Sequence, residues 1–306
     1  MFVKIRKRYI KYWQLYLFLI LPIAYILIFH YYPMLGLQIA FKKFNFRGGV
    51  WGSPWVGFYQ FEKFFKSYHF SRILTNTFVL SFYYVLVGFP IPIVFALTLN
   101  VIRHQRYKKL VQTITYMPYF ISVVVLVGMM KQIFHPLNGI YGVAMHALTG
   151  KNPTDLMGSV SAFPHMYVWS GVWQKFGYDS IIYMAALTSV SSELHEAAEI
   201  DGADRLQRIW HIDVPAILPT MTVMLILRMG SVMSLGFQKI YLMQNDLNIA
   251  ASEVITTFVY KKGIASGTSN DYSYATAINM FNSVINLFLL ITVNQIARRV
   301  GETSLW

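Results

Sequence analysis

The amino-acid sequence predicts an all-α integral membrane protein with six transmembrane helices. Of its 306 residues, 56% are hydrophobic and only 13% are charged, whereas about a quarter of the residues in a soluble domain are charged. The apolar residues also cluster in long runs. Because a helix needs about 20 mostly apolar residues to cross the hydrocarbon core, six of these runs qualify as spans. The predicted spans are 13–34, 73–101, 110–133, 162–190, 216–237 and 275–297.

Each predicted span is expected to be helical, because backbone groups without hydrogen-bond partners are too costly in lipid for other single segments. Pro22, Pro90, Pro92 and Pro118 lie inside predicted spans and predict kinks there. The basic segment Met1–Lys11 is followed by an apolar stretch that is longer than a signal-peptide core, and no cleavage pattern follows it. We therefore expect a retained first span.

Lysine and arginine residues predict the orientation of the spans. Basic residues cluster in the first eleven positions, between the second and third spans, and after the last span; they are Lys4, Arg6, Lys7, Arg8, Lys11, Arg103, Arg106, Lys108, Lys109, Arg298 and Arg299. By the positive-inside rule, both termini and the 191–215 loop are predicted to be cytoplasmic. The segment 36–72, outside in this topology, carries six basic residues over a greater length.

The predicted organisation has three parts. Residues 1–71 form an N-terminal span and an extracellular loop, residues 72–298 form a transmembrane core, and residues 299–306 form a cytoplasmic tail. The net charge of +13 is spread over short segments between apolar runs, so no nucleic-acid partner is expected. The absence of cysteine excludes disulfides, thiolate metal sites and cysteine nucleophiles, and the eight histidines show no metal-ligand spacing.

The loop at 191–215 holds six of the thirteen acidic residues, namely Glu193, Glu196, Glu199, Asp201, Asp204 and Asp213. Ser191 or Ser192 is expected to cap a first short helix, and Gly202 to permit a sharp turn. A second short helix presents Leu206, Ile209 and Trp210, and Pro215 suits the first turn of the next span. An apolar stripe with small residues and flanking acids is typical of a helix that docks into a groove. From the residues alone, docking and plain connection are equally supported.

The same loop resembles the EAA motif of permease subunits in binding-protein-dependent ABC importers. That motif reads EAA, three residues, Gly, nine residues, then I-x-L-P, and this sequence departs from it only at Val214. The matching residues are Glu196, Ala197, Ala198, Gly202, Ile212 and Pro215, while Asp201 and Ala203 match a fuller form found in sugar permeases. Ser53–Gly57, Asn76–Thr77 and Met117–Ser122 are similar to the MalF/UgpA-like carbohydrate branch of this family and, within that branch, to the LplB-type permeases.

The resemblance implies a type I ABC importer permease fold in a bacterial plasma membrane. It implies two cytoplasmic ATPase subunits, a second permease subunit and an extracellular substrate-binding lipoprotein as partners; the second permease is a different chain in most of this branch, and a homodimer is the alternative. In this family the EAA loop forms a coupling helix that sits in a cleft of the ATPase. Glu196 would then pair with a basic ATPase residue, and Gly202 would permit the turn. The chain is not expected to be an enzyme or to hold a cofactor, because ATP and magnesium would bind the ATPase subunits and this sequence lacks a phosphate-binding loop.

The resemblance to LplB-type permeases implies an oligosaccharide substrate, with acidic or complex sugars among those expected. Polar and aromatic residues inside the predicted spans are candidates for its pathway. Asn279, Asn282 and Asn286 share one helical face, and hydrogen bonding between helices is the favoured alternative for them. Trp169 and Trp173 offer faces for sugar rings or for packing. Arg228 lies in the middle of a span and suits either an acidic sugar or a structural pair.

Three rival classes remain: a secondary transporter or channel without an ATPase, a membrane enzyme, and an exporter subunit. The first explains the spans but not the EAA pattern. The second needs converging carboxylates or a metal site, and the acids of the loop flank a packing stripe instead. Exporters usually lack the motif.

Overall fold

The structure is a computed structural model that describes residues 12–102, 104–267, 271–301 and 305. Within these residues the chain is helical, and its extended pairing is a single antiparallel bridge between Lys42 and Trp55. The all-α prediction is therefore confirmed. The basic residues at positions 1–11 and Arg103, which support the predicted orientation, lie outside the described residues, as do positions 302–304 and 306 of the predicted tail.

Four helical stretches among the described residues are long and apolar enough to cross a membrane, namely Trp13–Phe41, His69–Val101, Arg205–Met229 and Tyr272–Arg299. A fifth candidate is the pair Gln105–Phe120 and Val123–Ile133, which meet at a bend of 97°. Pro118 lies just before this bend, and Ser122 starts the new helix by accepting a hydrogen bond from the Val125 amide at 3.3 Å. The predicted fourth span is helical on either side of Ser180.

The chain divides into two compact units. The first comprises residues 1–67 and 259–280, and the second comprises residues 68–258 and 281–306. Among the described residues, the α-helices that lie entirely in the first unit are α1 (Trp13–Ile26), α2 (Tyr32–Met34), α3 (Gly49–Gly52) and α4 (Tyr59–Phe65), with a π-helical turn at Leu27–Tyr31 and a 3-10 turn at Leu35–Phe41. No residue of α1 is buried, which is expected of an apolar helix that lies against lipid or another chain.

Within the first unit, the ammonium group of Lys42 organises the loop that follows α2. It is 2% exposed, donates hydrogen bonds to the carbonyls of Val50 and Trp51 at 2.8 and 3.2 Å, and lies 4.8 Å from the centre of the Trp55 ring. Two carbonyls and a ring face thus solvate a buried cation. The segment predicted here as an extracellular loop is therefore folded, and it includes the helix α4.

The second unit holds most of the predicted core. Its helices are α5 (His69–Gly88), α6 (Pro90–Val101), α7 (Gln105–Tyr116), α8 (Val123–Ile133), α9 (Ile140–Thr149), α10 (Phe163–Asp179), α11 (Ile181–Leu187), α12 (Ser192–Ile200), α13 (Arg205–Arg208), α14 (Val214–Met229), α15 (Phe237–Met243) and α16 (Ile249–Ser252). Two further helices, α17 (Ile255–Tyr260) and α18 (Tyr272–Gly301), begin in one unit and end in the other. Turns of 3-10 and π type occupy Met117–Phe120 and Ile209–Asp213 of the second unit, and the π-helical turn Lys261–Ala265 belongs to the first unit.

Two apolar clusters hold the second unit together. One surrounds Leu80, Phe163 and Val168, where α5, α10 and the 235–254 segment meet. The other surrounds Leu99, Leu187 and Ile217, where the ends of α6 and α11 meet the start of α14. The second cluster lies beside the 191–215 loop and so connects the loop to three helices.

Candidate functional site: an acidic loop and a cationic cavity

The loop from 191 to 215, called the EAA loop below, begins as its sequence predicts. Ser191 caps α12, since its hydroxyl accepts a hydrogen bond from the Glu193 amide at 3.2 Å. Glu196 and Ala197 are exposed on α12 and Ala198 is half-buried. An acidic residue in the first turn favours the helix because of the helix dipole.

The chain reverses after α12 at Gly202, which has φ of +80°. This left-handed conformation strains any residue with a side chain, so the predicted turn at Gly202 is confirmed. Asp204 then caps α13 in a reciprocal pair with Gln207, with both amide-to-side-chain hydrogen bonds at 2.8 Å. The D-x-x-Q spacing that gives this capping box was present in the sequence but was not identified there.

The sequence suggested that the second helix of the EAA loop is separate from the following span, but the structure shows that the two are continuous. Residues 205–229 form one helical stretch, in which α13 passes through the π-helical turn Ile209–Asp213 into α14. Pro215 lies in the first turn of α14, as predicted. A π-helical turn accommodates the ring of a proline within a continuous helix by changing the local hydrogen-bond pattern. The loop is thus directly continuous with the span.

Apolar side chains cover much of the EAA loop surface. Leu194, Ile200, Leu206 and Trp210 are between 56% and 87% exposed. The inside of the bend forms a groove of about 400 Å³, lined in part by five of the eight predicted coupling residues, which are Ala198, Asp201, Gly202, Ala203 and Ile212. An exposed apolar patch that is rimmed by polar groups is typical of a protein–protein contact.

A larger cavity of about 1230 Å³ opens within the second unit, between α5, α10, α14 and α15. Its lining includes three basic side chains, Lys175, Arg228 and Lys239, and one acidic side chain, Asp179. Tyr84, Tyr167 and Tyr178 supply aromatic surface. We call it the cationic cavity.

Arg228 is held in the cationic cavity by the break in the predicted second span. Its Nη1 donates to the carbonyl oxygen of Gly88 at 2.9 Å, and its guanidinium carbon lies 5.1 Å from the centre of the Tyr84 ring. In a regular helix the Gly88 carbonyl would accept a hydrogen bond from the amide of residue 92, but Pro92 has no N–H group. Arg228 therefore satisfies a carbonyl that proline leaves open.

Lys239 is 8% exposed and lies in α15, outside the five candidate spans. Its Nζ donates to the Tyr167 carbonyl at 2.9 Å and lies 5.0 Å from the centre of the Tyr167 ring. Burial, and secondarily the positive charge of Lys175, lower the pKa of Lys239 to about 7. An anion in the cavity would reverse this effect by stabilising the charged form.

Of the six residues predicted for the substrate pathway, Arg228 lines the cationic cavity and the other five are not among its lining residues. Trp169 and Trp173 are 52% and 45% exposed, and the Trp169 indole donates to the Tyr83 hydroxyl at 3.0 Å. Asn279 is exposed and Asn282 is buried. A role for these residues in a pathway stays a prediction.

Asn286 satisfies backbone in the irregular segment that follows α14. Its Oδ1 accepts from the Met233 amide at 2.9 Å, and its Nδ2 donates to the Ser234 hydroxyl at 3.0 Å. Gln174 likewise provides a hydrogen-bond partner for the backbone at the bend after Pro118, since its Nε2 donates to the Ile121 carbonyl at 2.7 Å. Irregular backbone at membrane depth needs such partners.

The sequence analysis did not identify Lys239 as a cavity residue. A lone lysine just beyond the predicted fifth span was the available signal for Lys239. Its burial follows from the turn between α14 and α15, which no short-range pattern indicates.

These features match a known class of membrane protein. The chain belongs to the family of binding-protein-dependent transport system inner membrane components, which matches residues 74–302. It is therefore a multi-pass permease of the plasma membrane, and the family predicted from the EAA motif is confirmed.

Individual relatives define the branch. Protein LplB of Bacillus subtilis (strain 168) is 40% identical over 292 residues, which cover 95% of this chain and 91% of that protein. The polygalacturonan/rhamnogalacturonan transport system permease protein YteP of the same strain is 36% identical, with 95% and 90% covered. The predicted LplB-type carbohydrate branch is confirmed.

Among solved structures, the chain is similar to one in the crystal structure of a bacterial ABC transporter involved in the import of the acidic polysaccharide alginate. The two chains are 35% identical, with a TM-score of 0.89 over 97% of this chain and 99% of that one. A chain from a bacterial alginate ABC transporter in complex with an alginate pentasaccharide-bound periplasmic protein matches equally well, with a TM-score of 0.89. The predicted type I importer permease fold is confirmed.

Proposed function

We propose that this chain imports acidic oligosaccharides and is driven through the EAA loop by cytoplasmic ATPase subunits. The observation that carries the substrate class is the cationic cavity, where three basic side chains and one acidic side chain share a volume of about 1230 Å³. Oligosaccharides that contain uronic acids bring carboxylates at regular intervals. Basic groups that line a concave site with low-dielectric walls attract such anions more strongly than isolated groups on an open surface do.

Two relatives support this substrate class. The YteP protein is a polygalacturonan/rhamnogalacturonan permease by name, and the solved structure belongs to an importer of an acidic polysaccharide. Tyr84, Tyr167 and Tyr178 suit stacking against sugar rings, because an aromatic face with a polar edge fits the apolar face and hydroxyl rim of a sugar.

The proposed mechanism uses the EAA loop as a lever. Exposed Leu206 and Trp210 would dock in a cleft of the ATPase, and Glu196 would pair with a basic residue there. Because residues 205–229 are one helical stretch, movement of the docked loop would move α14, which carries Arg228 at the cavity. ATP hydrolysis thus becomes rigid-body movement of a packed helix.

The assembly we propose has two ATPase subunits, a second and non-identical permease, and an extracellular binding lipoprotein, with both termini of this chain in the cytoplasm. ATP and magnesium would bind the ATPase subunits. Uptake that continues without ATP would contradict this assembly and favour a secondary transporter.

The coupling proposal is tested with Glu196→Arg and Gly202→Val, with Glu193→Gln as the control on the same helix. We expect both variants to insert into the membrane but to retain about ten-fold less ATPase subunit on copurification, or to hydrolyse ATP without uptake. Wild-type copurification and uptake for both variants would contradict coupling through this loop.

The substrate proposal is tested by uptake of an oligogalacturonide and of a neutral oligosaccharide of equal length. Lys175→Gln and Lys239→Gln are each expected to lower acidic uptake about ten-fold, the effect of losing a charge-assisted hydrogen bond of roughly 1.5 kcal/mol. Lys151→Gln, an exposed lysine outside the cavity, is the control. Equal losses for both sugars, or no acidic uptake by the wild type, would contradict the acidic class.

A further inference from the structure

Five of the six acidic residues in the EAA loop region are exposed, and the sixth, Asp213, is 2% exposed. Asp213 occupies the variable position of the I-x-L-P element, to which the motif assigns no residue type. A carboxylate that is buried in a docking loop needs a local reason, because burial of a charge without partners is strongly unfavourable.

The partners of Asp213 come from two other helices. Its Oδ1 lies 3.2 Å from Nε2 of His195 on α12 and accepts from Nδ2 of Asn100 on α6 at 3.4 Å. Asp213 itself ends the π-helical turn that leads into α14. One carboxylate oxygen therefore joins the first helix of the EAA loop, the end of the second span and the start of the fifth.

A second contact inside the loop points the same way. Arg208 Nη1 lies 2.8 Å from Oε2 of Glu199, which ties α13 to α12. The Arg208 side chain is 14% exposed and Glu199 is 55% exposed, so solvent weakens this ion pair more than the contacts of Asp213. The buried contacts are those that also reach a transmembrane helix outside the loop.

We propose that Asp213 is a positioning residue that fixes α12 to the ends of α6 and α14, so that a displacement of the EAA loop moves both spans together. This inference rests on the proposed coupling function. Without the carboxylate, α12 would stay folded and able to bind an ATPase but would move independently of α6. ATP would then be hydrolysed without an equivalent movement of the spans.

The test is made with the complete transporter in proteoliposomes, by measuring uptake and ATP hydrolysis together. Asp213→Ala is expected to retain the ATPase subunits within two-fold of wild type and to transport about ten-fold fewer molecules per ATP hydrolysed. Asp213→Asn, which keeps an acceptor oxygen of the same size, should recover part of the lost ratio. Glu193→Gln, an exposed carboxylate on α12, is the control and should keep the wild-type ratio.

A double variant tests whether the contacts act together. Asn100→Ala combined with Asp213→Ala should lower the ratio of transport to ATP hydrolysis no further than Asp213→Ala alone does, because both changes remove the same contact between α6 and Asp213. Amide hydrogen exchange in 193–208 should be faster in Asp213→Ala than in the control. A wild-type transport-to-hydrolysis ratio in Asp213→Ala would overturn the proposal, as would full additivity in the double variant.

If Asp213→Ala fails to assemble, Asn100→Ala and His195→Gln decide, since both keep the carboxylate. A lowered ratio of transport to ATP hydrolysis in these variants supports the positioning role of Asp213, and an unchanged ratio overturns it. The proposed function fails by a different result, which is wild-type copurification and uptake in Glu196→Arg and Gly202→Val.

Discussion

The EAA loop and the cationic cavity use polar residues in opposite ways. On the loop, acids and apolar side chains point outward, as in Glu196 and Trp210, and their partners are expected on another protein. In the cavity, Arg228, Gln174 and Lys239 donate to backbone carbonyls of this chain. The loop is a surface prepared for a partner, whereas the cavity is lined by groups that also hold the helices in place.

The cavity residues therefore have two roles that the loop residues do not share. Breaks in the second and third predicted spans free carbonyl oxygens at Gly88 and Ile121, and side chains from other spans satisfy them. A substitution in the cavity is expected to change folding and substrate handling together. A substitution at Glu196 or Trp210 on the loop surface is expected to change partner binding alone.

The largest effect is expected at Gly177 on α10, the helix that also carries the cavity residues Lys175 and Tyr178. A Cβ atom added there would lie 2.2 Å from the carbonyl oxygen of Thr115, so α10 and α7 would have to separate. Gly177→Ala should lower the stability by about 3 kcal/mol or more, at or above the upper range for overpacking. Thermal unfolding of the purified protein measures this. The control is Gly128→Ala, where the added atom meets nothing within 4 Å; equal stability of both variants would contradict the close packing of these helices.

The next effect separates the two roles of Arg228. Arg228→Met should lower the stability by about 1–3 kcal/mol, since the Gly88 carbonyl loses its donor. Adding Pro92→Ala restores a backbone N–H for that carbonyl, so the double variant should regain part of the loss in thermal unfolding. Acidic uptake should stay low in the double variant if the guanidinium also faces substrate. Strictly additive losses of stability would show that Arg228 does not act through the break.

On the loop, Trp210→Ala is expected to weaken ATPase binding about ten-fold, or about 1.4 kcal/mol, with unchanged thermal stability. The reason is that Trp210 is 70% exposed in this chain and has little of its own fold to support. Titration of the solubilised permease with ATPase subunits gives the affinity. Leu148→Ala, at another exposed apolar residue outside the EAA loop, should leave the affinity unchanged. If Trp210→Ala lowered the thermal stability and left the affinity for the ATPase subunits unchanged, Trp210 would support the fold of this chain instead of binding a partner.

The EAA loop is shaped mainly by interactions between residues close in sequence, and the cavity by interactions between distant residues. This difference explains which features could be predicted from the sequence. The Ser191 cap, the Gly202 turn and the placement of Pro215 are short-range features, fixed by residues within a few positions, and all three are confirmed. The continuity of residues 205–229 was missed because a π-helical turn leaves no simple periodicity. Of the four prolines that predicted kinks, Pro90, Pro92 and Pro118 lie close to breaks between helices, whereas Pro22 lies inside the uninterrupted helix α1.

The side chains that donate hydrogen bonds to the carbonyl groups at those breaks could not be predicted, because they come from distant positions in the chain. Arg228 and Gly88 are 140 positions apart, and Gln174 and Ile121 are 53 apart. The asparagine stripe of the last span illustrates the same limit, since Asn286 bonds to Met233 and Ser234. Intramembrane polarity identified important residues, but only tertiary structure assigns each one a partner.

The smallest effect concerns pH, and it tests whether Lys239 belongs to the substrate surface as well as to the packing. Its pKa is lowered to about 7, so the ammonium form is populated below that pH and is lost as the pH rises through it. Attraction for a carboxylate should fall in the same direction. The ratio of acidic uptake by wild type to that by Lys239→Gln should fall about two- to five-fold between pH 6 and pH 8, the scale of roughly 0.5–1 kcal/mol for a partly screened ion pair. Taking the ratio cancels the pH dependence of the other subunits, and the same ratio for a neutral sugar should stay flat. A flat ratio for the acidic sugar would leave Lys239 as a packing group and place the substrate charge nearer to Lys175 and Arg228.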